Sequence, residues 1–302
     1  MTARPIRRRT AAIGTALAVG MLLLTGCTSA SGNQHLSLHD QLPESIQDSG
    51  VIKVGSDLNY APVESKGSNG EAVGLDPDLA AALGKQLGVK FEIQDYTFDK
   101  LIPKVQAKEI DIAMSAITDT KERREGTDSL GVQKNEGVDF VDYFIAGTSM
   151  LVEKGNPHGI SSLNDLCGKT VALQKLTTQD TIITRQKAAC KLRGSDLTLK
   201  RYANDDLALA QLKAGNAEAD LNDFPVAAYN AKTVNNGKAF EITGPQMQPA
   251  PYGIMVHKDN TQLRDVLVKA MNAVIISGEY DKILAEWNLE QGAAQNAVVN
   301  GG

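Results

Sequence analysis

Two hydroxyls and one guanidinium stand close together in Thr118-Asp119-Thr120-Lys121-Glu122-Arg123. A planar fork of donors beside short hydroxyl donors suits a small carboxylate, which accepts paired N–H bonds from arginine and further bonds from hydroxyls. The run before them, Ile110-Asp111-Ile112-Ala113-Met114-Ser115-Ala116-Ile117, reads as a buried strand that ends at this polar turn. A plainer reading needs no ligand. In it, Thr118 to Thr120 cap a helix whose solvated first turn is Lys121 to Arg124. Taken alone, the stretch tilts toward the plainer reading; the remainder of the chain reverses that preference.

The elements that must position this turn alternate strand and helix. Val51 to Gly55 is a short apolar strand. Asp76-Pro77 predicts a helix start, with Asp as N-cap and Pro in the first turn. Leu79, Leu83 and Leu87 then recur every fourth position, and Gly88 ends the helix. Val89 to Ile93 is the next strand, followed by a helix through Leu101 and Val105. Later strands are predicted at Thr170 to Leu173, Glu218 to Asn222 and Gly253 to Val256, with helices between them that include Asp205 to Ala214 and Pro225 to Lys232. Leu263, Leu267, Ala270, Met271 and Val274 make one closing helical face; Tyr280, Ile283, Leu284 and Trp287 make another. Repeated strand–helix units predict an α/β architecture. Residues 291–302 read as a frayed tail.

The N-terminus predicts export. Arg4, Arg7, Arg8 and Arg9 precede an apolar stretch from Ala11 to Leu24 that is too short and too rich in small residues for a comfortable membrane span. It ends in Leu24-Thr25-Gly26-Cys27, which resembles the lipobox of bacterial lipoproteins. That resemblance implies cleavage after residue 26 and a lipid on Cys27, against the alternative of an ordinary signal peptide with a chance cysteine. The pair Arg8-Arg9 leaves the export route open between Sec and twin-arginine. Residues 27–49, rich in Ser, Gly, Asn and Gln over much of their length, read as a lipid anchor and flexible tether. His35 and His39 within it have a helical metal-pair spacing but no third ligand nearby, so they read as solvated, and no metal is expected.

Charge and cysteines narrow the function. Removing the signal takes four arginines and moves the formal charge from −5 to −9. So acidic a body is a poor partner for nucleic acid. A chain that is 42% hydrophobic has ample material for a core, or for two lobes with a core each. With Cys27 assigned to lipid, Cys167 and Cys190 remain as a disulfide or as two buried thiols; export and the even remainder favour the bond. The sequence contains no phosphate loop, nucleotide-binding glycine fingerprint, zinc-spaced cysteine pairs or nucleophile elbow. No cofactor is expected.

The order of the remaining motifs resembles the bacterial extracellular solute-binding proteins of family three, receptors of polar amino acid ABC importers. The pieces are Val54-Gly55-Ser56-Asp57-Leu58-Asn59-Tyr60-Ala61-Pro62, Gly74-Leu75-Asp76-Pro77-Asp78-Leu79, Phe98 to Pro103, and the run that ends at Arg123. Later come Ser162-Leu163-Asn164-Asp165-Leu166, Gly168-Lys169-Thr170-Val171-Ala172, Asn222-Asp223-Phe224-Pro225, and the closing helix Tyr280 to Trp287. The resemblance implies a two-lobed, type II periplasmic-binding-protein-like fold with two hinge strands, crossing near Tyr143 to Ser149 and Gly244 to Pro251. Lobe one is expected at 50–146 plus 252–290 and lobe two at 147–247. The ligand is expected between them.

Residue by residue, the resemblance makes Arg123 the grip on an α-carboxylate and Thr118 a second donor to it. It places the Ala116 carbonyl and the Asp223 carboxylate at the α-ammonium. Asp223 also suits a helix N-cap ahead of Pro225, and the two roles are compatible. Tyr60 and Phe98 match aromatic walls, with ordinary core packing as the alternative. Asp57 matches a position that reads the ligand side chain, where an acid suits glutamine or a basic amino acid; the alternative is a turn-former after the strand. Thr178 and Gln174 match lobe-two positions near the ligand. Two departures stand out. Leu176 occupies a turn position that usually carries glycine, which puts the turn shape in doubt, and Gln174 replaces an often basic residue. Glu125 to Gly137 adds a polar loop, read as a tolerated surface insertion, a lid or a permease contact.

The expected function is a lipid-anchored, monomeric receptor on the extracytoplasmic face of the cell membrane that passes a polar amino acid to an ABC permease, with no turnover of its own. The alternatives are a cyclohexadienyl dehydratase-like enzyme on the same scaffold, in which Asp223 moves a proton, and a ligand-sensing module.

Overall fold

A computed structural model describes residues 37–128 and 130–302. The expectations for Cys27, His35 and the signal segment lie outside those residues. In chain order the elements are α1 (Glu44–Ser49), β1 (Val51–Ser56), β2 (Asn59–Tyr60), β3 (Glu64–Lys66), β4 (Ala72–Val73), α2 (Leu75–Leu87), β5 (Lys90–Asp95), α3 (Phe98–Gln106), β6 (Ile112–Ala113) and α4 (Lys121–Glu125). They continue with β7 (Asp139–Glu153), β8 (Thr170–Gln174), α5 (Thr178–Leu192), β9 (Thr198–Tyr202), α6 (Asp205–Lys213), β10 (Ala219–Asp223), α7 (Phe224–Thr233), β11 (Phe240–Val256), α8 (Thr261–Ile276), α9 (Glu279–Trp287) and β12 (Ala293–Val299).

One large mixed sheet runs β5-β1-β6-β11-β7-β10-β8-β9. At one end β1 pairs in parallel with β5 and β6; at the other β8 pairs in parallel with β9 and β10. The two ends share only the long antiparallel strands β7 and β11, which cross from one lobe to the other. Their pairing is interrupted between Thr243 and Met247, between Met247 and Ala250, and between Tyr252 and Gly253. Lost register weakens a ladder and lets strands bend, and these breaks overlap the crossing expected at Gly244 to Pro251. Each lobe has its own apolar core. Ile52, Val54, Leu79, Leu83, Leu267 and Met271 pack in the first, and Leu166, Val171, Leu173, Ile183 and Leu221 in the second. Cys167 and Cys190 are disulfide-bonded, tying the approach to β8 to the last turn of α5.

The structure corrects several sequence expectations. The strand of Ile110 to Ile117 shrinks to Ile112–Ala113, because the chain turns at Ala116, whose φ of +47° no strand residue adopts. Asp76 is not the N-cap of α2; Gly74 is. Asp76 sits two residues further on, in the first turn and buried, where its carboxylate accepts from the Tyr143 hydroxyl at 2.6 Å and the Ala116 N–H at 3.1 Å. The described part of the supposed tether, residues 37–49, packs on the body: α1 places Ile46 in the core and His39 Nδ1 lies 3.0 Å from the Leu87 carbonyl oxygen. The supposed frayed tail contains β12, an antiparallel partner of β7, with Ala297 in the core and Asn300 Oδ1 accepting from the Phe140 N–H.

Candidate functional site

Between the lobes lies a cavity lined by Asp57, Tyr60, Glu64, Phe98, Ser115, Ala116, Thr118 and Arg123 from the first lobe and Gln174, Thr177, Thr178, Gln179 and Asp223 from the second. All nine ligand-binding residues expected from the sequence are brought together there. Four lining residues were not anticipated: Glu64, Ser115, Thr177 and Gln179.

The first-lobe wall is built at strand ends. Beyond β1, Asp57 is buried and accepts from three donors. Its Oδ1 accepts from Asn59 Nδ2 at 2.7 Å, and its Oδ2 from the Phe98 N–H at 3.1 Å and from Gln174 Nε2 at 2.8 Å. Burial pushes its carboxyl up, and these donors oppose that rise. Beyond β6, Thr118 and Arg123 are joined by the cap read in the sequence. Thr120 is the N-cap of α4, its hydroxyl accepting from the Arg123 N–H at 3.2 Å. The short helix swings the Arg123 side chain back over the turn, where Nη1 donates to the Thr118 carbonyl at 2.8 Å. The guanidinium lies 5.3 Å from the centre of the Phe98 ring, so that ring is a wall of the cavity under a cation. Among the described residues Arg123 has no ion pair. Lost hydration pulls its guanidinium down to about 10, and the nearby charges of Asp223, Asp119 and Glu122 resist the fall, so it stays charged at neutral pH.

The second-lobe wall is built at two helix starts. Thr177 is the N-cap of α5, accepting from the Asp180 N–H at 3.2 Å, which leaves Thr178 and Gln179 in the first turn facing the cavity. The positive end of that helix favours an anion. Leu176 takes the left-handed conformation, φ +62°, that a glycine takes without strain. The turn is therefore kept: the leucine side chain is 65% exposed and lines no part of the cavity, while its carbonyl accepts from Arg123 Nη2 at 3.4 Å. Asp223 ends β10 and occupies the N-cap position of α7, yet its side chain makes no capping bond. It points into the cleft instead. Tyr60 donates to its Oδ2 at 3.1 Å and Gln179 Nε2 to its Oδ1 at 2.7 Å, while its own N–H donates to the Tyr60 hydroxyl at 2.9 Å. Burial pushes the Asp223 carboxyl up to about 6, against the pull of the Tyr252 and Tyr60 hydroxyls, the Arg123 charge and Gln179. Tyr60 is thus tied to Asp223 while its ring packs against the first-lobe core.

Among the described residues, none of the loop 125–137 lines the cavity. Thr127 and Asp128 border a shallow recess outside it, beside Leu176 and Arg185. The loop is pinned by a Lys134–Asp128 ion pair at 3.0 Å and by Gln106 Nε2 donating to Asn135 Oδ1 at 2.7 Å. Among the described residues no cluster of His, Cys, Asp or Glu is placed to hold a metal ion.

The cavity thus has a charged guanidinium on its first-lobe side and a carboxylate and a helix N-terminus on its second-lobe side. The chain matches the bacterial extracellular solute-binding proteins, family 3, over residues 52–290. It is 31% identical over 261 residues to the arginine-binding protein ArgT of Corynebacterium glutamicum, covering 86% of this chain and 81% of that protein. Two solved structures of an ancestral arginine-binding protein superpose on it. The one bound to glutamine has a TM-score of 0.69 at 35% identity, covering 80% of this chain and 99% of its own. The one bound to arginine has a TM-score of 0.70 at 34% identity, covering 79% and 98%.

Proposed function

The chain belongs to the bacterial extracellular solute-binding proteins, family 3, and on that premise we propose how it selects and delivers its ligand. It is an extracytoplasmic amino acid receptor of an ABC importer, a binding protein rather than an enzyme. The observation that carries the site is the placing of Arg123, charged and without an ion pair among the described residues, opposite the buried Asp223 across one cavity. Arg123 and Thr118 take the ligand carboxylate. Asp223 and the Ala116 carbonyl take its ammonium, and Tyr60 and Phe98 flank its aliphatic part. Because the two charges belong to different lobes, a bound zwitterion favours the closed arrangement over the open one, and that difference drives closure. Asp57 and Gln174 read the end of the side chain. An acid at that end suits a guanidinium, an ammonium or an amide, so the ligand is arginine, a related basic amino acid or glutamine, the compounds that the similar proteins bear in their names or hold.

The lobes hinge where β7 and β11 cross, with boundaries near residues 146 and 252. The receptor is a monomer tethered through a lipid on Cys27 and presents its closed form to permease subunits. The test is Arg123→Ala. Removing a charge-assisted bidentate contact in a closed cleft costs on the order of 2–5 kcal/mol of binding. The variant is expected to lose the ligand-induced rise in melting temperature that the native protein shows with arginine or glutamine. Undiminished affinity in the variant would remove Arg123 from the site.

A further inference from the structure

Glu64 lines the cavity but belongs to none of the roles above. It lies on β3 and is 1% exposed. Its Oε1 accepts from the Ser115 hydroxyl at 3.0 Å, whereas no N–H or O–H donor reaches its Oε2. A second buried carboxyl, Asp76, adjoins it: Asp76 accepts from the N–H of Ala116, the residue after the Ser115 that donates to Glu64, and the two carboxyls act on each other's protonation. Two carboxylates adjoining in a dry interior cannot both be ionised; one keeps a proton and donates it to the other. Geometry says which. Asp76 already accepts from the Tyr143 hydroxyl at 2.6 Å and the Ala116 N–H at 3.1 Å, and it sits in the first turn of α2, where the helix favours negative charge. Glu64 has one donor and no helix end, so the proton stays on Glu64.

What this pair holds matters for the ligand. Ala116 is a non-glycine residue at φ +47°, a conformation that needs outside support. Its N–H is anchored by Asp76. Next to it, Ser115 accepts from the Asp57 N–H at 2.9 Å and passes its own proton toward Glu64. One continuous chain therefore runs from Asp57 through Ser115, Glu64 and Asp76 to Ala116, with Tyr143 of β7 attached. Its two ends are cavity positions. We propose that Glu64 is a positioning residue of the ligand site: it remains protonated, donates to Asp76, and through that bond fixes the Ser115–Ala116 turn and the backbone of Asp57 in binding geometry. The inference rests on the reading of this cavity as the amino acid site.

The groups facing the pair are Asp57, Ser115, Tyr143 and the Ala116 N–H, with Tyr280 behind Tyr143, whose carbonyl it holds at 2.6 Å. None is a cation, so nothing nearby favours two negative charges.

The experiment compares the full chain with Glu64→Gln and Glu64→Ala. Gln reproduces both bonds without a titratable proton, its carbonyl accepting from Ser115 and its amide donating to Asp76. With ¹³C-labelled glutamate carboxyls, the resonance absent from Glu64→Gln should sit at a protonated position throughout the neutral range, with or without arginine or glutamine present. By calorimetry, Glu64→Ala is expected to weaken binding of the ligand by roughly tenfold or more, because it strands buried polar partners. Glu64→Gln should restore affinity to within about threefold of the native protein. An ionised Glu64, or Glu64→Gln as weak as Glu64→Ala, would overturn the proposal and mark Glu64 as a direct charge partner of the ligand ammonium. An alanine variant that binds normally would overturn it too. Should Glu64→Ala not fold, the carboxyl resonance and Glu64→Gln still decide. Should the native protein bind no amino acid, the site reading fails, while the carboxyl resonance still reports on the shared proton.

Discussion

At the residue scale, Asp223 links the site to pH. Its folded-state value of about 6 lies above the ordinary carboxylate value, so the folded protein holds this proton more tightly than the unfolded chain does. Its contribution therefore favours the fold most at acid pH, below the unfolded value near 4, and declines as pH rises through about 6. Ligand affinity runs the opposite way. An ammonium needs the ionised carboxylate, so binding below pH 6 must expel the proton. Affinity for arginine is expected to be level above about pH 7 and to fall by up to about tenfold per unit below pH 6. Calorimetry in buffers of different ionisation enthalpy should show one proton released near pH 5 and none at neutral pH. Binding that is independent of pH across this window would place the ammonium elsewhere. The placing of Arg123, Thr118 and Asp223 at the cavity was legible in the sequence from their types and their order along the chain. Glu64 was not, because its role depends on a proximity to Asp76 that neither residue announces. Asp76 itself carried a misleading signal, since Asp before Pro reads as a helix cap while the chain uses it as a buried acceptor.

At the element scale, the alternating strands and helices were legible from apolar spacing, and the disulfide from cysteine count and compartment. The missed elements are those without a pattern. Ala293-Ala294-Gln295-Asn296 has no strand signature, yet β12 pairs with β7 because that strand offers it an edge. Two predictions belong here. Leu176 occupies a left-handed conformation, costing about 1–2 kcal/mol relative to a permissive residue, while its exposed side chain contributes little packing. After the entropy that glycine adds to the unfolded chain, Leu176→Gly should still stabilise the protein by up to about 1 kcal/mol in urea unfolding. A clear loss would mean the leucine packs on something not seen in the turn. The Cys167–Cys190 bond closes a sequence separation of 23 residues. Replacing both cysteines by serine should cost about 2–4 kcal/mol of stability, with the loss centred on the second lobe in hydrogen exchange. The changed residues lie outside the cavity, so arginine binding should persist where the variant is folded.

At the scale of the whole molecule, the two-lobed plan was legible from the order of motifs, whereas the contacts that close the cleft were not, because each joins residues far apart in sequence. Among the described residues, such contacts include Tyr60 with Asp223, Gln174 with Asp57, Arg123 with the Leu176 carbonyl, and Lys175 with Asp99 at 3.0 Å. The first three use groups that line the cavity or its rim, so changing them alters ligand contacts along with closure. Lys175–Asp99 stands apart from the cavity and isolates closure. Lys175 is 39% exposed, so water and salt screen the pair and its worth is that of a surface bridge, about 0.2–1 kcal/mol. Lys175→Met should therefore weaken ligand binding by up to about fivefold. The change should appear mainly as faster dissociation, because the pair is made after the lobes meet. It should vanish at high salt, where the native pair is already screened. Stopped-flow fluorescence from native Trp287 or a site-attached dye gives both rate constants. A dissociation rate unaffected by the substitution at low salt would show that the ligand clamp alone holds the lobes together.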